Sequence, residues 1–346
     1  MSVRTIVYVS CATAQQIVTL TLDPDTGALH EIGRLTVPGA TDPAPGSLPL
    51  ALAPSHRFLY AGLRNPPFPL VSFAIDPATG ALAEIGRATL DDSMTYLSVD
   101  KTGRALFSAS YSGAKLAVNA IAANGVAGPP VQVLATPPKA HSALPDPSNR
   151  FVYAACLGGD LVLAQPFDAA TGRLAGAVQA GGATAPGAGP RHLAFGQGGA
   201  ILYVVNELDG SVNTYARNTA TGALQLRQSL SLLPAGITGS VAAADIHLTP
   251  DGRYLYASER ITHTLAGFAV DTADGTLSLV SRAASEPTPR GFAIDPRGRF
   301  LLCAGLTSGG LGVYRIVAET GALVRLGSVP VGAGANWVEI FDLPTG

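Results

Sequence analysis

The chain carries little charge: of its 346 residues only 13% are Asp, Glu, Lys or Arg, and the formal net charge is −2. Without a basic surplus there is no electrostatic footprint for nucleic acid, and no nucleic-acid partner is expected. Cysteine is nearly missing. Cys11, Cys156 and Cys303 are odd in number and form no CxxC pair, which excludes a disulfide framework or a cysteine-rich zinc module. Each sits in an apolar run and reads as a buried thiol. No apolar stretch approaches the ~18 residues of a membrane-spanning helix, so no membrane partner is expected. The opening "MSVRTIVYVSCATAQQ" lacks the charged start, apolar core and cleavage site of a secretory leader. A cytoplasmic protein is the expectation. No segment keeps the 3.6-residue period of a long helix.

What is abundant is apolar surface, at 47% hydrophobic residues, together with 40 glycines and 26 prolines. These are the materials of a large core broken by many turns. One turn recurs: "DPDTGAL" at Asp23, "DPATGAL" at Asp76, "DAATGRL" at Asp168, "NTATGAL" at Asn218, "DTADGTL" at Asp271 and "VAETGAL" at Val317, with "AANGVAG" at Ala122 as a degenerate copy. Its glycines, Gly27, Gly80, Gly125, Gly172, Gly222, Gly275 and Gly321, recur about every fifty residues, the spacing of propeller blades. A second series interleaves with it: "APSHRFLYA", "DKTGRALFS", "DPSNRFVYA", "GQGGAILYV", "TPDGRYLYA" and "DPRGRFLLC". Each is a tight turn leading into an apolar run and reads as a hairpin.

A period of this length with about four strands per repeat predicts an all-β, seven-bladed β-propeller of four-stranded antiparallel blades, one domain over residues 1–346. "RTIVYVS" at Arg4 is the second half of a seventh hairpin, and its first strand is expected at the other terminus, in "NWVEIF" from Asn336 to Phe341. Pairing the two would close the ring and leave no open sheet edge.

In an up-and-down blade with strands a to d, counted from the channel outward, the a–b and c–d turns share one face. The opposite face gathers what precedes strand a and follows strand b. Nine residues before each turn arginine or its equivalent stand Leu48, Thr95, His141, Arg191, Ala244 and Arg290; one further on stand Pro49, Tyr96, Ser142, His192, Asp245 and Gly291. Four residues after the strand-b aromatic or its equivalent come Ala12, Arg64, Tyr111, Leu157, Glu207, Arg260 and Leu306. Ionisable groups thus replace apolar ones at positions that one face brings together. Asp245 and His247 also read as an inter-blade network, the turn arginines Arg57, Arg150, Arg253 and Arg299 as turn holders on the other face, and Trp337 as core. Arginines outnumber acids at this mouth, which favours an anion over a cation. No metal site is expected, no cofactor is called for, and no GxSxG elbow is present.

With "GAGPRH", "VNELDGSV", "AADIHLTPDGRYLYASER" and "PRGFAIDPRGRFLLCAG" in order, the chain closely resembles the seven-bladed propeller lactonases, the group of bacterial 6-phosphogluconolactonases and fungal carboxy-muconate lactonizing enzymes, over essentially its whole length. The resemblance implies a site of His141, Arg191, Glu207, Arg260 and Arg290, with His192 also at a family position. Two departures bear on substrate choice. Val241 stands where the phosphogluconolactonase pattern has an arginine, and "TDPAPGSLP" lengthens the connection into the second blade.

The resulting expectation is a carbohydrate-metabolism hydrolase of the pentose phosphate pathway that opens a small anionic sugar-acid δ-lactone without metal. His141, Arg191, Glu207 and His192 are the catalytic candidates, with His141 or Glu207 as base. Arg64, Tyr111, Asp245, Arg260 and Arg290 are the substrate-binding candidates. A non-phosphorylated or aldaric lactone, a muconate-type cycloisomerisation, and a non-catalytic interaction scaffold are the alternatives. A monomer or weak homo-oligomer is expected.

Overall fold

The computed structural model describes residues 4–237 and 239–343. Seven antiparallel sheets are arranged blade by blade. The closing blade joins the two ends of the chain: strand Ala335–Asp342 pairs antiparallel with Thr5–Cys11, followed outward by Gln16–Leu22 and Leu29–Thr36. Ile6 lies opposite Phe341 and Val9 opposite Val338, so the C-terminal strand supplies the innermost position that the N-terminal repeat lacks. The fourth blade departs from the pattern. Its outer position is divided between Arg173–Leu174 and Ala180–Ala183, both paired with Leu161–Asp168.

Burial explains the composition of the strands. The b strands Thr5–Cys11, Ala105–Ser110, Phe151–Cys156, Ile201–Asn206, Tyr254–Glu259 and Phe300–Gly305 are buried at every residue. They lie between neighbouring blades and accordingly read as continuous apolar runs. The outermost strands, such as Leu29–Thr36, keep one side toward solvent and alternate. The core is therefore not one mass. Its seven apolar clusters each join two adjacent blades, as where Tyr8 and Ile17 meet Leu59 and Phe73. Cys11, Cys156 and Cys303 are free and buried in these layers.

The two sequence repeats turn out to be partners across the blade junctions. The strand-b tyrosine of one blade donates its O–H to the carbonyl of the turn glycine of the next: Tyr8 to Gly80 (2.7 Å), Tyr60 to Gly125 (2.9 Å), Tyr153 to Gly222 (2.7 Å), Tyr203 to Gly275 (2.8 Å) and Tyr256 to Gly321 (2.7 Å). Phe107 and Leu302 occupy the tyrosine position in the other two blades and have no hydroxyl to give. The turn glycine is required twice over. At Gly80 φ is +78°, a left-handed conformation disfavoured for residues with a Cβ, and an added Cβ would meet Ile6 of the preceding blade at 2.7 Å. Two a–b turn arginines bridge junctions on the same face, Arg104 to the Ala169 carbonyl (2.9 Å), where Phe107 has no hydroxyl, and Arg150 to the Thr219 carbonyl (2.6 Å).

Candidate active site

At the channel end opposite those turns, the innermost strands of every blade but the second share an irregularity. In the fifth blade Pro190 pairs with Asn206 and His192 with Val205, leaving Arg191 as an extra, unpaired residue. The same skip occurs at Thr95, His141 and Arg290, and the closing strand skips Asn336. In the sixth blade it spans Ala244 and Asp245. Such a β-bulge lets consecutive side chains leave the strict in-and-out alternation of a strand. Arg191 and His192 thereby line one small polar cavity together with Ser47, Thr95, Asp245, Arg290 and Asn336.

Glu207, just past the end of its b strand, binds two guanidiniums. Its Oε2 lies 2.8 Å from Arg191 Nε and its Oε1 lies 3.0 Å from Arg260 Nη2. Arg191 is 2% exposed and also donates from Nη1 to the Ala244 carbonyl; Arg260 Nε donates to the Ala242 carbonyl at 2.9 Å. Arg64 donates to Ser47 Oγ at 2.9 Å. Arg290 stands apart. Its guanidinium makes no ion pair or side-chain hydrogen bond among the described residues. Burial, with Arg191, Arg260 and Arg64 nearby, pulls its pKa down to about 9. Burial also lowers Arg191, to about 10, against the pull of Glu207. Burial alone would raise the Glu207 carboxyl, but Arg191, Arg260 and Arg290 outweigh it and hold the group below its ordinary value.

The two imidazoles are neutral at physiological pH. Burial, reinforced by Arg191, His192, Arg290 and Arg260, keeps His141 well below its ordinary value. Burial and Arg191 pull His192 down to about 4, against Asp245. The two rings are 5.3 Å apart, edge to face, and Tyr111 sits edge-on to His141 at 5.9 Å. His141 Nδ1 is enclosed without a partner.

The positions inferred from the sequence thus gather as follows: His141, His192, Arg191, Glu207, Arg260, Arg290, Arg64 and Tyr111 share one end of the channel. Asp245, expected among the substrate contacts, lines the same small cavity and also binds both neighbouring histidines. Its Oδ1 takes His192 Nδ1 at 2.7 Å, and its Oδ2 takes His247 Nε2 at 3.2 Å and the Phe292 amide at 3.1 Å. Trp337, read as core, is a half-buried channel-wall residue set edge-on to Tyr96 at 5.3 Å, donating Nε1–H to Glu339 at 2.9 Å.

Ser47, Asn336 and Lys139 were not singled out from the sequence. Lys139 Nζ lies 5.5 Å from the centre of the Tyr111 ring, two residues before His141. Asn336 holds in the closing blade the place that Arg191 holds in the fifth. The signal for it was broken, because its hairpin is divided between the chain ends and offers no turn on which to align. Among the described residues no group of three or more His, Cys, Asp or Glu side chains is arranged to hold a metal ion, and no helix is long and apolar enough to cross a membrane.

Comparison with known proteins agrees with this architecture. The family described as "Lactonase, 7-bladed beta-propeller" matches residues 6–340. A protein named 6-phosphogluconolactonase from Pectobacterium carotovorum is 42% identical over 338 residues, covering 98% of this chain and 99% of that one. A protein of the same name from Serratia proteamaculans is 41% identical over the same shares. Among solved structures, a periplasmic gluconolactonase of Pseudomonas aeruginosa superposes with a TM-score of 0.87 at 31% identity, covering 99% of this chain and 100% of that one. The chain belongs to the seven-bladed β-propeller lactonase family.

Proposed function

We propose that this protein hydrolyses 6-phosphoglucono-δ-lactone to the open-chain 6-phosphogluconate, without a metal ion. The observation that carries the substrate class is the charge balance at the channel end. Four guanidiniums, of Arg64, Arg191, Arg260 and Arg290, outnumber the two carboxylates of Glu207 and Asp245, and Arg290 makes no ion pair among the described residues. Uncompensated buried cations are costly and are relieved by an anionic ligand. The names of the relatives at about 42% identity support the same substrate.

In this reading the phosphate sits against Arg290 and Arg64, and Tyr111 packs beside the sugar. His141, neutral at the working pH, takes a proton from a water as its oxygen attacks the lactone carbonyl carbon. The carbonyl oxygen gains the negative charge and is met by Arg191, which Glu207 and the Ala244 carbonyl hold in place from behind. As the tetrahedral centre collapses, the carbonyl re-forms and the ring C–O bond breaks. The departing alkoxide takes the proton back from His141, leaving a carboxylic acid that ionises at neutral pH. Glu207 serves as the counter-ion that aims Arg191 and Arg260, since both of its oxygens are engaged; of the two bases considered, His141 is the one with a free nitrogen. His192 stands beside His141 and keeps its environment neutral.

The chain acts as one propeller unit over residues 1–346, as a monomer or weak homo-oligomer. A cytoplasmic setting is part of the proposal, supported by three buried thiols left unpaired, as suits a reducing compartment. The test is lactone hydrolysis above the spontaneous rate, with and without chelator, for wild type and for His141→Ala and Arg191→Ala. Metal-independent turnover reduced by roughly 10²-fold or more in each variant is expected. Near-wild-type rates in both variants would overturn the assignment.

A further inference from the structure

Behind the site the channel opens again toward the turn face, as a cavity of about 360 Å³ lined by Tyr96, Lys101, His192, Asp245, His247 and Glu339 among others. His247 belongs to this side. It lies two residues after Asp245 on one strand, both side chains line this cavity, and it is 42% exposed. Asp245 lines both cavities and joins the two ends through its hydrogen bonds. Its Oδ1 meets His192 Nδ1 at 2.7 Å and the Ile246 amide at 3.0 Å, while its Oδ2 meets His247 Nε2 at 3.2 Å and the Phe292 amide at 3.1 Å. The neighbouring groups hold Asp245 ionised, since His247 and His192 outweigh its burial. An ionised carboxylate only accepts, so both rings must donate to it. His192 is thereby fixed with its proton on Nδ1 and its lone pair on Nε2.

We propose that His247, facing the opposite end of the channel from the active site, is a positioning residue that acts through Asp245 to keep His192 neutral. This rests on the lactonase reading given above. When His247 carries a proton it balances Asp245, and the pair presents no net charge to His192. Without that proton the full negative charge of Asp245 acts on His192 and favours imidazolium there. A charged His192, 5.3 Å from His141, would add another cation beside the base and weaken it.

The groups facing His247 support this balance. Asp245 on its own strand raises its proton affinity against the cost of burial, and so does Glu339 on the C-terminal strand. The Phe292 ring of the next blade packs edge-on at 4.8 Å. Across the cavity, Tyr96 and Lys101 complete the titratable lining, and His192 itself closes the end toward the site. Solvent on the turn face thus reaches the residue that sets the state of His192, while substrate enters from the other side.

The test uses the full chain with ¹⁵N-labelled histidine. The His192 resonances are assigned from a His192→Gln variant and followed through pH in wild type, His247→Gln and His247→Phe, alongside the pH profile of kcat/KM. Glutamine keeps a neutral donor to Asp245, and phenylalanine keeps the ring packing without one. In His247→Gln, His192 is expected to titrate about one pH unit higher, and the acid limb of kcat/KM to move the same way. His247→Phe, which leaves Asp245 with no donor from that side, is expected to raise the His192 titration at least as far. An unchanged His192 titration in both variants, whatever happens to thermal stability, would overturn the proposal, as would a shifted titration with an unmoved acid limb. If wild type turns over no lactone, the functional reading fails and the NMR titration alone decides the coupling.

Discussion

Arg191 and His192 are consecutive in sequence and line the same cavity, because Arg191 is the unpaired residue between the Pro190–Asn206 and His192–Val205 pairs. A regular strand would send one of the two into the blade interior. The bulge converts an ordinary propeller strand into one that delivers a cation and an imidazole to the same point, and it recurs at His141 and Arg290.

Arg191→Ala is expected to lower kcat by roughly 10²-fold, the scale of a lost oxyanion donor. It also removes one of the two partners of Glu207 at a site where Arg191 is 2% exposed. Breaking a buried pair costs about 3 kcal/mol or more, less here because Arg260 remains. Thermal unfolding and steady-state kinetics on the same preparation separate the two effects.

Glu207→Gln addresses the acid side of stability. The carboxyl is held below its ordinary value of 4.5 by Arg191, Arg260 and Arg290 despite burial. A group depressed in the folded state contributes stability that is fully present above its unfolded pKa and is lost as pH falls through the folded value. The variant is therefore expected to be less stable than wild type at neutral pH, with the difference narrowing below about pH 4.5. Melting temperatures across this range check the sign.

His141→Ala is expected to lower kcat by about 10² to 10⁴-fold and to abolish its part of the acid limb. Burial and the neighbouring cations keep His141 well below 6.5, so that limb lies on the acid side of 6.5 in wild type. A pH profile of kcat measures both.

Tyr256→Phe removes the O–H donated to the Gly321 carbonyl across a blade junction. A loss of about 1 kcal/mol is expected, with kinetics unchanged because the bond lies on the turn face. The same change at Tyr8 or Tyr203 is expected to cost a similar amount, which denaturant melts can compare directly.

The blade count and the ring closure were legible because they rest on local signals: a turn glycine that needs positive φ and an apolar run that must be buried on both sides. The division of the closing blade was legible too, since "RTIVYVS" begins on a strand without its hairpin partner. What the repeats could not convey was pairing across blades. Nothing local in "RFLYA" says that its tyrosine hydroxyl seeks the glycine carbonyl of the next turn. At the site, alignment on the turn arginine brought His141, Arg191 and Arg290 to one level because the bulges are conserved in place from blade to blade of this chain. It placed Asp245 at the same level as His192 without conveying that its oxygens bind His192, His247 and two backbone amides, because those partners come from three blades.

The measurement that tests the central claim most directly is the ratio of kcat/KM for 6-phosphoglucono-δ-lactone to that for glucono-δ-lactone, in wild type and in Arg290→Ala. If the unpartnered Arg290 guanidinium receives the phosphate, wild type prefers the phosphorylated lactone. A charge-assisted contact is worth about 1.5–3 kcal/mol, so the variant is expected to lose roughly 10- to 10²-fold on that substrate while keeping its rate on the plain lactone. Equal efficiency on both lactones in wild type would contradict the account and favour a neutral sugar lactone as the substrate, and an unchanged ratio in Arg290→Ala would contradict the assignment of the phosphate to Arg290.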